Sequence, residues 1–324
     1  MVIHGPGGVA RLEPAGGGRT RVVVEPDDPD TYVATRSWET AYDTTLVERI
    51  LRVKGVGWLC DELRRDEDPT YTSANLVGPL LAHVPRPQLD GARVLDFGCG
   101  SGASTAVLGR ELPGATIVGV ELLDDFVAIA RARVAHHGLT NVVVLRSPDA
   151  TALPADLGRF DLVVLNGVYE HLLPDERATL SAALWAAVAP GGHLAITETP
   201  ARWWPIDGHT TRLPLVPLLP DRLALAAARR FSPKVATDEA WEVLLRRGIR
   251  GGSRRRIAAD LARAGGPRPE ALRPLVGDRI DLWYAMGGDP APARRALRAG
   301  LKGLRRVTGA ELVPYLAVVF RKPS

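Results

Sequence analysis

Between residues 93 and 198 the chain alternates short apolar runs with stretches whose apolar positions recur every three to four residues. The runs at 93–97, 116–121, 141–146, 160–166 and 192–198 read as buried strands, and the stretches at 102–111, 123–137 and 175–188 as helices. Strands joined through helices of this length need right-handed crossovers, which build a parallel sheet covered on both faces. A run at 313–320 predicts a last strand. Upstream, Ala41, Leu46, Ile50 and Val53 mark one side of a helix predicted over 39–54, and a second helix is expected over 73–83, stopped by Pro85 and Pro87. Residues 1–35 are rich in Gly and Pro, with β-like runs at 9–12 and 21–24 around Gly16, Gly17 and Gly18; a small hairpin and a loose arm both fit. After residue 198, prolines at 200, 205, 214, 217 and 220 forbid a continuous helix. Helices are expected again at 221–230, 236–248, 253–264 and 291–306.

The first strand of this series runs into a glycine turn: residues 93–102 read Arg-Val-Leu-Asp-Phe-Gly-Cys-Gly-Ser-Gly. Glycines at 98, 100 and 102 let the backbone approach a ligand and leave free N–H groups at a helix start. By spacing alone, Gly98, Gly100 and Ala103 also fit the dinucleotide fingerprint, with Glu121 downstream as the ribose acid. Asp96 separates the two readings. A carboxylate just before the turn is unfavourable beside a pyrophosphate and favourable beside an ammonium and a sulfonium. The arrangement resembles motif I of the class I S-adenosylmethionine-dependent methyltransferases, and four later segments resemble that family in order. Residues 117–121 (Ile-Val-Gly-Val-Glu) look like its second strand, and 147–154 (Ser-Pro-Asp-Ala-Thr-Ala-Leu-Pro) like its adenine loop. Residues 160–166 followed by Val-Tyr-Glu-His-Leu at 168–172 look like its fourth strand, and 189–196 (Ala-Pro-Gly-Gly-His-Leu-Ala-Ile) like the turn into its fifth.

The resemblance covers residues 91–200 and implies an α/β fold: a doubly wound, Rossmann-like, mostly parallel sheet with an antiparallel last strand, N-terminal helices and a C-terminal helical substrate region. It divides the chain into an N-terminal arm and covering helices (1–90), a cofactor-binding core (91–200), a Pro/Trp loop with Arg-rich helices (201–310) and the last strand (311–324). The implied cofactor is S-adenosyl-L-methionine. Its expected contacts are Gly98, Gly100, Gly102 and Leu122 around the turn, Glu121 on the ribose hydroxyls, and Asp149 with Ala150 on the adenine. Asp96 would attract the methionine ammonium, and the Asn166 amide would sit near the same end. Trp38, Tyr42, Trp58 and Tyr71, on the N-terminal segments, are candidates for lining a cover over the cofactor or for core packing.

Composition is that of an ordinary globular protein, 46% hydrophobic and 24% charged. No apolar run is long enough for a membrane span, and the N-terminus lacks a basic start followed by an apolar stretch, so the expected location is the cytoplasm. Cys60 and Cys99 are the only cysteines, and Cys99 suits the tight turn as a small apolar residue. The seven histidines show no ligand spacing along the chain, so no metal is expected. The net charge of +4 hides an asymmetry: residues 1–199 carry 17 Lys and Arg against 26 Asp and Glu, while 200–324 carry 24 against 11. A basic C-terminal part points to an anionic partner, or to a solvated surface.

Methyl transfer is an in-line displacement that needs alignment, and a base only where the acceptor is a hydroxyl. His171 and His209 are the candidate bases. His209 lies in the 200–220 segment with Trp203, Trp204, Asp207 and Arg212, a loop expected to leave the fifth strand on the ligand side and face the acceptor. The expected acceptor is a small molecule, glycan or lipid-linked compound, anionic, methylated on oxygen. Two other classes compete: a nicotinamide-dependent oxidoreductase, and an RNA- or membrane-surface-binding module on the same fold. The second draws on Arg254, Arg255 and Arg256 and on a helix near 294–306. There Arg294, Arg298, Lys302 and Arg305 share one face and Leu297, Leu301 and Leu304 another. DNA is not expected as a partner, nor is RNA, because Asn-Gly-Val-Tyr at 166–169 lacks the prolines of an RNA-methyltransferase Asn-Pro-Pro-Tyr motif.

Overall fold

A computed structural model describes residues 1–149, 151–285, 292–308 and 312–324. The first 40 residues form neither a lone hairpin nor a loose arm. Strands β1 (Val2–Gly5), β2 (Gly8–Pro14), β3 (Thr20–Pro26) and β4 (Ser37–Thr40) make an antiparallel meander in sequence order. Alternation along it sends Ile3, Ala10, Leu12, Val22 and Val24 to one buried face, packed with Leu46, Val47, Ile50 and Leu51 of α1 (Thr44–Lys54). The helix predicted from residue 39 starts at 44 because Glu39 and Thr40 pair with Arg21 and Thr20 of β3. The Asp43 side chain then caps the helix by accepting from the Leu46 N–H at 2.8 Å. Helix α2 (Leu59–Glu67) follows. The helix expected over 73–83 is a wide-turned segment, Pro69–Val77, kinked at Tyr71, that runs into the single turn α3 (Gly78–Leu81).

The central third matches the expected alternation closely. It comprises β5 (Arg93–Phe97), α4 (Ala103–Glu111), β6 (Thr116–Glu121), α5 (Asp124–His136), β7 (Val142–Arg146), β8 (Phe160–Asn166), α6 (Pro174–Ala187) and β9 (Val188–Pro200). The chain continues through α7 (Asp221–Phe231), α8 (Trp241–Arg246), α9 (Arg254–Ala262), β10 (Glu270–Ala271), α10 (Arg279–Ala285) and α11 (Pro292–Thr308) to β11 (Tyr315–Arg321). The seven strands of the second sheet lie in the order β10-β11-β9-β8-β5-β6-β7. Pairs from β9 to β7 are parallel, and β11 runs antiparallel to β9, as expected of the last strand. Neighbouring residues of a central strand enter opposite cores: Leu95, Val118 and Val163 pack with Trp185 and Ile257, while Val94, Ile117 and Val164 pack with Val107 and Leu108. This two-sided burial is why these strands read as continuous apolar runs.

From β5 the chain moves to β6 and β7 on one side, then returns to β8 and β9 on the other. The order therefore reverses beside β5, and the crevice at the carboxyl ends of β5, β6 and β8 is where such a sheet takes its ligand.

Candidate functional site

Two adjoining cavities open at that end of the sheet. The smaller, about 390 Å³, is lined by Phe97 and Gly98 after β5, Glu121, Leu122 and Phe126 after β6, Ser147 and Asp149 after β7, and Gly167 to Leu172 in part after β8. Glu121 closes its floor. The Glu121 Oε2 accepts from the Gly100 N–H at 2.8 Å, and Oε1 accepts from the Leu122 and Leu123 N–H groups at 2.8 and 3.0 Å. The carboxylate thus ties the glycine turn to the start of α5. An Asp149 carboxylate oxygen organises its own turn, accepting from the Thr151 N–H and hydroxyl at 2.7 and 3.0 Å; hydrogen bonding from Thr151 holds this exposed carboxyl below its ordinary range. Ala150, expected at the adenine, lies outside the described residues.

Asp96 sits deeper than the sequence reading placed it, 1% exposed and off the cavity wall. Its Oδ2 accepts from the Ser104 and Thr105 hydroxyls, both at 2.7 Å, while Oδ1 is buried without a partner among the described residues. Burial pushes its carboxyl upward. An orphaned carboxylate oxygen behind the turn suits a cationic ligand group or a bridging water. The turn itself leaves no room for a side chain at Gly98, where a Cβ would come 2.8 Å from Val168. Both observations fit the implied cofactor. Asn166 is placed elsewhere. Its amide donates to Glu198 Oε2 at 2.9 Å and accepts from the Thr197 hydroxyl at 2.7 Å, in the larger cavity.

That second cavity, about 760 Å³, shares Gly167, His171 and Arg246 with the first. Its aromatic wall includes Tyr32, Trp58, Tyr71 and Tyr315, and its charged wall includes Arg65, Arg212, Lys234 and Arg247. Of the expected cover aromatics, Trp58 and Tyr71 therefore reach it; Tyr42 is buried in a polar network, and Trp38 lies outside it. Arg212 and Lys234 stand over the Tyr32 ring at 5.3 and 4.8 Å. Burial and the neighbouring Arg212 and Arg247 guanidinium groups lower the Lys234 pKa.

The loop after β9 contributes unevenly. Gly208, His209 and Arg212 line the larger cavity, but Trp203 is exposed beneath the Arg202 guanidinium and Trp204 packs against Trp283. Asp207 is a loop organiser: its carboxylate accepts from the N–H groups of His209, Thr210 and Thr211 and from the Thr211 hydroxyl. This turn is what carries His209 into the cavity. There the His171 and His209 rings lie 5.6 Å apart, and burial together with His171 brings the His209 pKa down to about 4. His171 donates its Nδ1–H to the Arg246 carbonyl at 2.7 Å, and its Nε2 stands 3.8 Å from Glu170 Oε1. Burial raises the Glu170 pKa, and its Oε2 accepts from the Thr199 hydroxyl at 2.8 Å. The expectation of no ligand cluster rested on spacing along the chain; the fold brings Glu170, His171 and His209 together from segments 38 positions apart.

Glu198 was missed by sequence reasoning. It lines the larger cavity at φ 57°, a strained conformation for a residue other than glycine and one that marks functional loops. Nothing in the residue type betrays it; only its place at the end of the fifth strand does. The basic helix face is also resolved differently. Arg298 and Lys302 of α11 pair with Asp281, Arg305 pairs with Asp278, and Arg294 stacks on Trp283 and Tyr284. The cations that made this helix a candidate for an anionic membrane are thus engaged by α10 and by Asp278 just before it, while Leu297 and Leu304 face outward. No helix among the described residues is long and apolar enough to cross a membrane.

Known proteins resemble the part of the chain that carries this end of the sheet. Residues 95–194 match the family described as methyltransferase domain. Trans-aconitate 2-methyltransferase of Variovorax paradoxus is 38% identical over 135 residues, covering 41% of this chain and 46% of that protein. Demethylmenaquinone methyltransferase of Thermus thermophilus is 34% identical over 108 residues, covering 33% and 47%. Among solved structures, S-adenosylmethionine-bound CalS10, an amino pentose methyltransferase from Micromonospora echinaspora, is 28% identical over 38% of this chain and 50% of its own, with a TM-score of 0.31. The chain spans about half the length of these relatives.

Proposed function

We propose, for a chain whose residues 95–194 are a class I S-adenosylmethionine-dependent methyltransferase domain, that it methylates an oxygen of a small anionic acceptor held in the larger cavity. One observation carries this reading: the two cavities meet at Gly167, His171 and Arg246, so a sulfonium bound in the first would face an acceptor bound in the second. Glu121, Leu122 and the turn of Gly98, Gly100 and Gly102 would hold the ribose and methionine parts, and Asp149 with Ala150 the adenine. The orphaned Asp96 oxygen would draw the ammonium through water. When bound, the cofactor supplies a methyl carbon already activated by positive sulfur.

The chain's part is alignment and removal of a proton. Residues of the larger cavity would hold an acceptor oxygen in line with that methyl carbon, whose bonding electron pair would leave with the sulfur. The hydroxyl proton would depart on the side of His171 and His209, both of which line the larger cavity. Arg212, Lys234 and Arg247 would bind a carboxylate or phosphate on the acceptor, and the aromatic wall its carbon frame.

Calorimetry tests the reading directly. S-adenosylmethionine and S-adenosylhomocysteine should bind and NAD should not. Radiolabelled methyl should pass to hydroxyl compounds bearing a carboxylate or phosphate, with turnover falling as salt rises. NAD binding with no heat from either sulfur cofactor overturns the proposal.

A further inference from the structure

Glu170, His171 and His209 present one ligand atom each, all within 4.8 Å of one another. Their orientation is fixed from behind. Thr199 donates to Glu170 Oε2 at 2.8 Å and turns Oε1 toward the histidines, while the Arg246 carbonyl takes the His171 Nδ1–H at 2.7 Å and turns the Nε2 lone pair toward Oε1. Glu170 Oε1 and His171 Nε2 thus stand 3.8 Å apart, too far for a hydrogen bond. Neighbouring ligands of a tetrahedral ion with bonds near 2.1 Å are about 3.4 Å apart. Partners that set ring tautomer and carboxylate direction are the usual outer shell of a metal site. Gly248 makes the approach possible: a Cβ there would come 2.9 Å from His209 Cδ2 and 3.1 Å from Glu170 Cγ.

Two of the neighbouring cations carry their own counter-ions. Arg246 is neutralised by Glu176 through two contacts of 2.5 and 2.6 Å, and Arg247 pairs with Glu239 at 3.3 Å. Two imidazoles and one carboxylate leave coordination positions free, and those positions open into the larger cavity.

We infer that Glu170, His171 and His209 bind one divalent transition-metal ion of the zinc class at the junction of the two cavities. The inference rests on the reading of that junction as the place of methyl transfer. There the ion would take an oxygen of the acceptor and acidify its hydroxyl, whose proton leaves to water in the open cavity. The two imidazoles then serve proton removal as ligands. A 2-His-1-carboxylate set favours zinc, iron or cobalt over magnesium.

The full chain, stripped with a chelator, should take up one Zn²⁺ per molecule by calorimetry, and Co²⁺ should give visible d–d absorption. His209→Ala and Glu170→Gln should each weaken Zn²⁺ binding tenfold or more, whereas His4→Ala, on exposed β1, should not. His209→Ala changes a surface loop, so it remains informative if Glu170→Gln does not fold. S-adenosylhomocysteine is titrated against the same samples. Its binding should be indifferent to both substitutions, and its failure with Zn²⁺ still bound would count against the cofactor site alone. Absence of Zn²⁺ uptake by the wild type, equal affinity in every variant, or a preference for Mg²⁺ overturns the metal site.

Discussion

Glu121 holds three backbone N–H groups with a carboxylate that offers about four lone-pair positions, so little capacity is left for a ligand. A ribose in the smaller cavity would have to share Oε2 with Gly100 or displace an N–H, so under the proposed function this side chain would be a cofactor contact as well as a strut of the turn. Glu121→Ala should weaken S-adenosylhomocysteine binding by roughly 1.5–3 kcal/mol, the scale of hydrogen bonds lost from a charged group. Calorimetry on a variant whose circular dichroism is unchanged measures it, and unaltered affinity would misplace the ribose. The same residue-level view separates what the sequence could disclose from what it could not. Glu121, Asp149 and Gly98 follow strands of the alternating series, so strand order alone brings them to one cavity. Asn166 also ends a strand, yet its amide is committed to Glu198 and Thr197. The commitment depends on β8 and β9 lying side by side, and no local pattern encodes it.

At the scale of elements, the strands and helices between 93 and 198 were legible because each is buried on two sides or has one apolar face. The N-terminal meander was only half legible. Strands β2 and β3 alternate over seven residues each, but β1 and β4 are four residues long, and β4 carries Ser37, Glu39 and Thr40, which no apolar period marks. Of the cavity walls beyond β9, the loop with His209 and Arg212 was legible, whereas Lys234, Arg246, Arg247 and Tyr315 were hidden because they converge from segments separated by long stretches of chain. Where helices meet, a small residue is decisive. Gly102, at φ 84° before α4, would place a Cβ 2.6 Å from the Ala130 Cβ and 2.7 Å from its Cα on α5. Gly100 has a similar positive φ of 56° and open space around it. Gly102→Ala should therefore destabilise by roughly 2–4 kcal/mol, from backbone strain plus helix displacement, and Gly100→Ala by about 1–2 kcal/mol from strain alone. Urea unfolding of the two variants checks the order; equal losses would mean that α4 and α5 are not in close contact at Gly102.

Across the whole molecule, one buried polar network joins the N-terminal layer to the cofactor end of the large sheet. The Arg133 guanidinium on α5, fully buried, pairs with Asp66 and with Glu62 of α2 and donates to the Ser101 carbonyl in the glycine turn. Ser101 in turn donates to Glu62, and Tyr42 and His137 bond to Asp66. Loosening this network would free the turn as well as the meander, so its ionisation couples acid stability to the cofactor site. Burial alone would raise both carboxyls. For Asp66 it is outweighed by Arg133 and by hydrogen bonds from His137 and Tyr42, and for Glu62 by Arg65, Lys54 and Arg133, which leaves both at about 2. A carboxyl whose folded pKa is depressed contributes stability in full above its unfolded pKa, near 4, and loses it as pH falls toward 2. Each should contribute on the order of 2 kcal/mol at neutral pH. Asp66→Asn leaves Arg133 buried against one fewer charge and should lower neutral-pH stability by roughly 3–5 kcal/mol. It should also flatten the decline between pH 5 and pH 2, because one of the two titrating groups is gone. Unfolding free energies from urea titrations across that range test both parts. Wild type and variant falling in parallel would show that Asp66 is not the group whose protonation opens the layer.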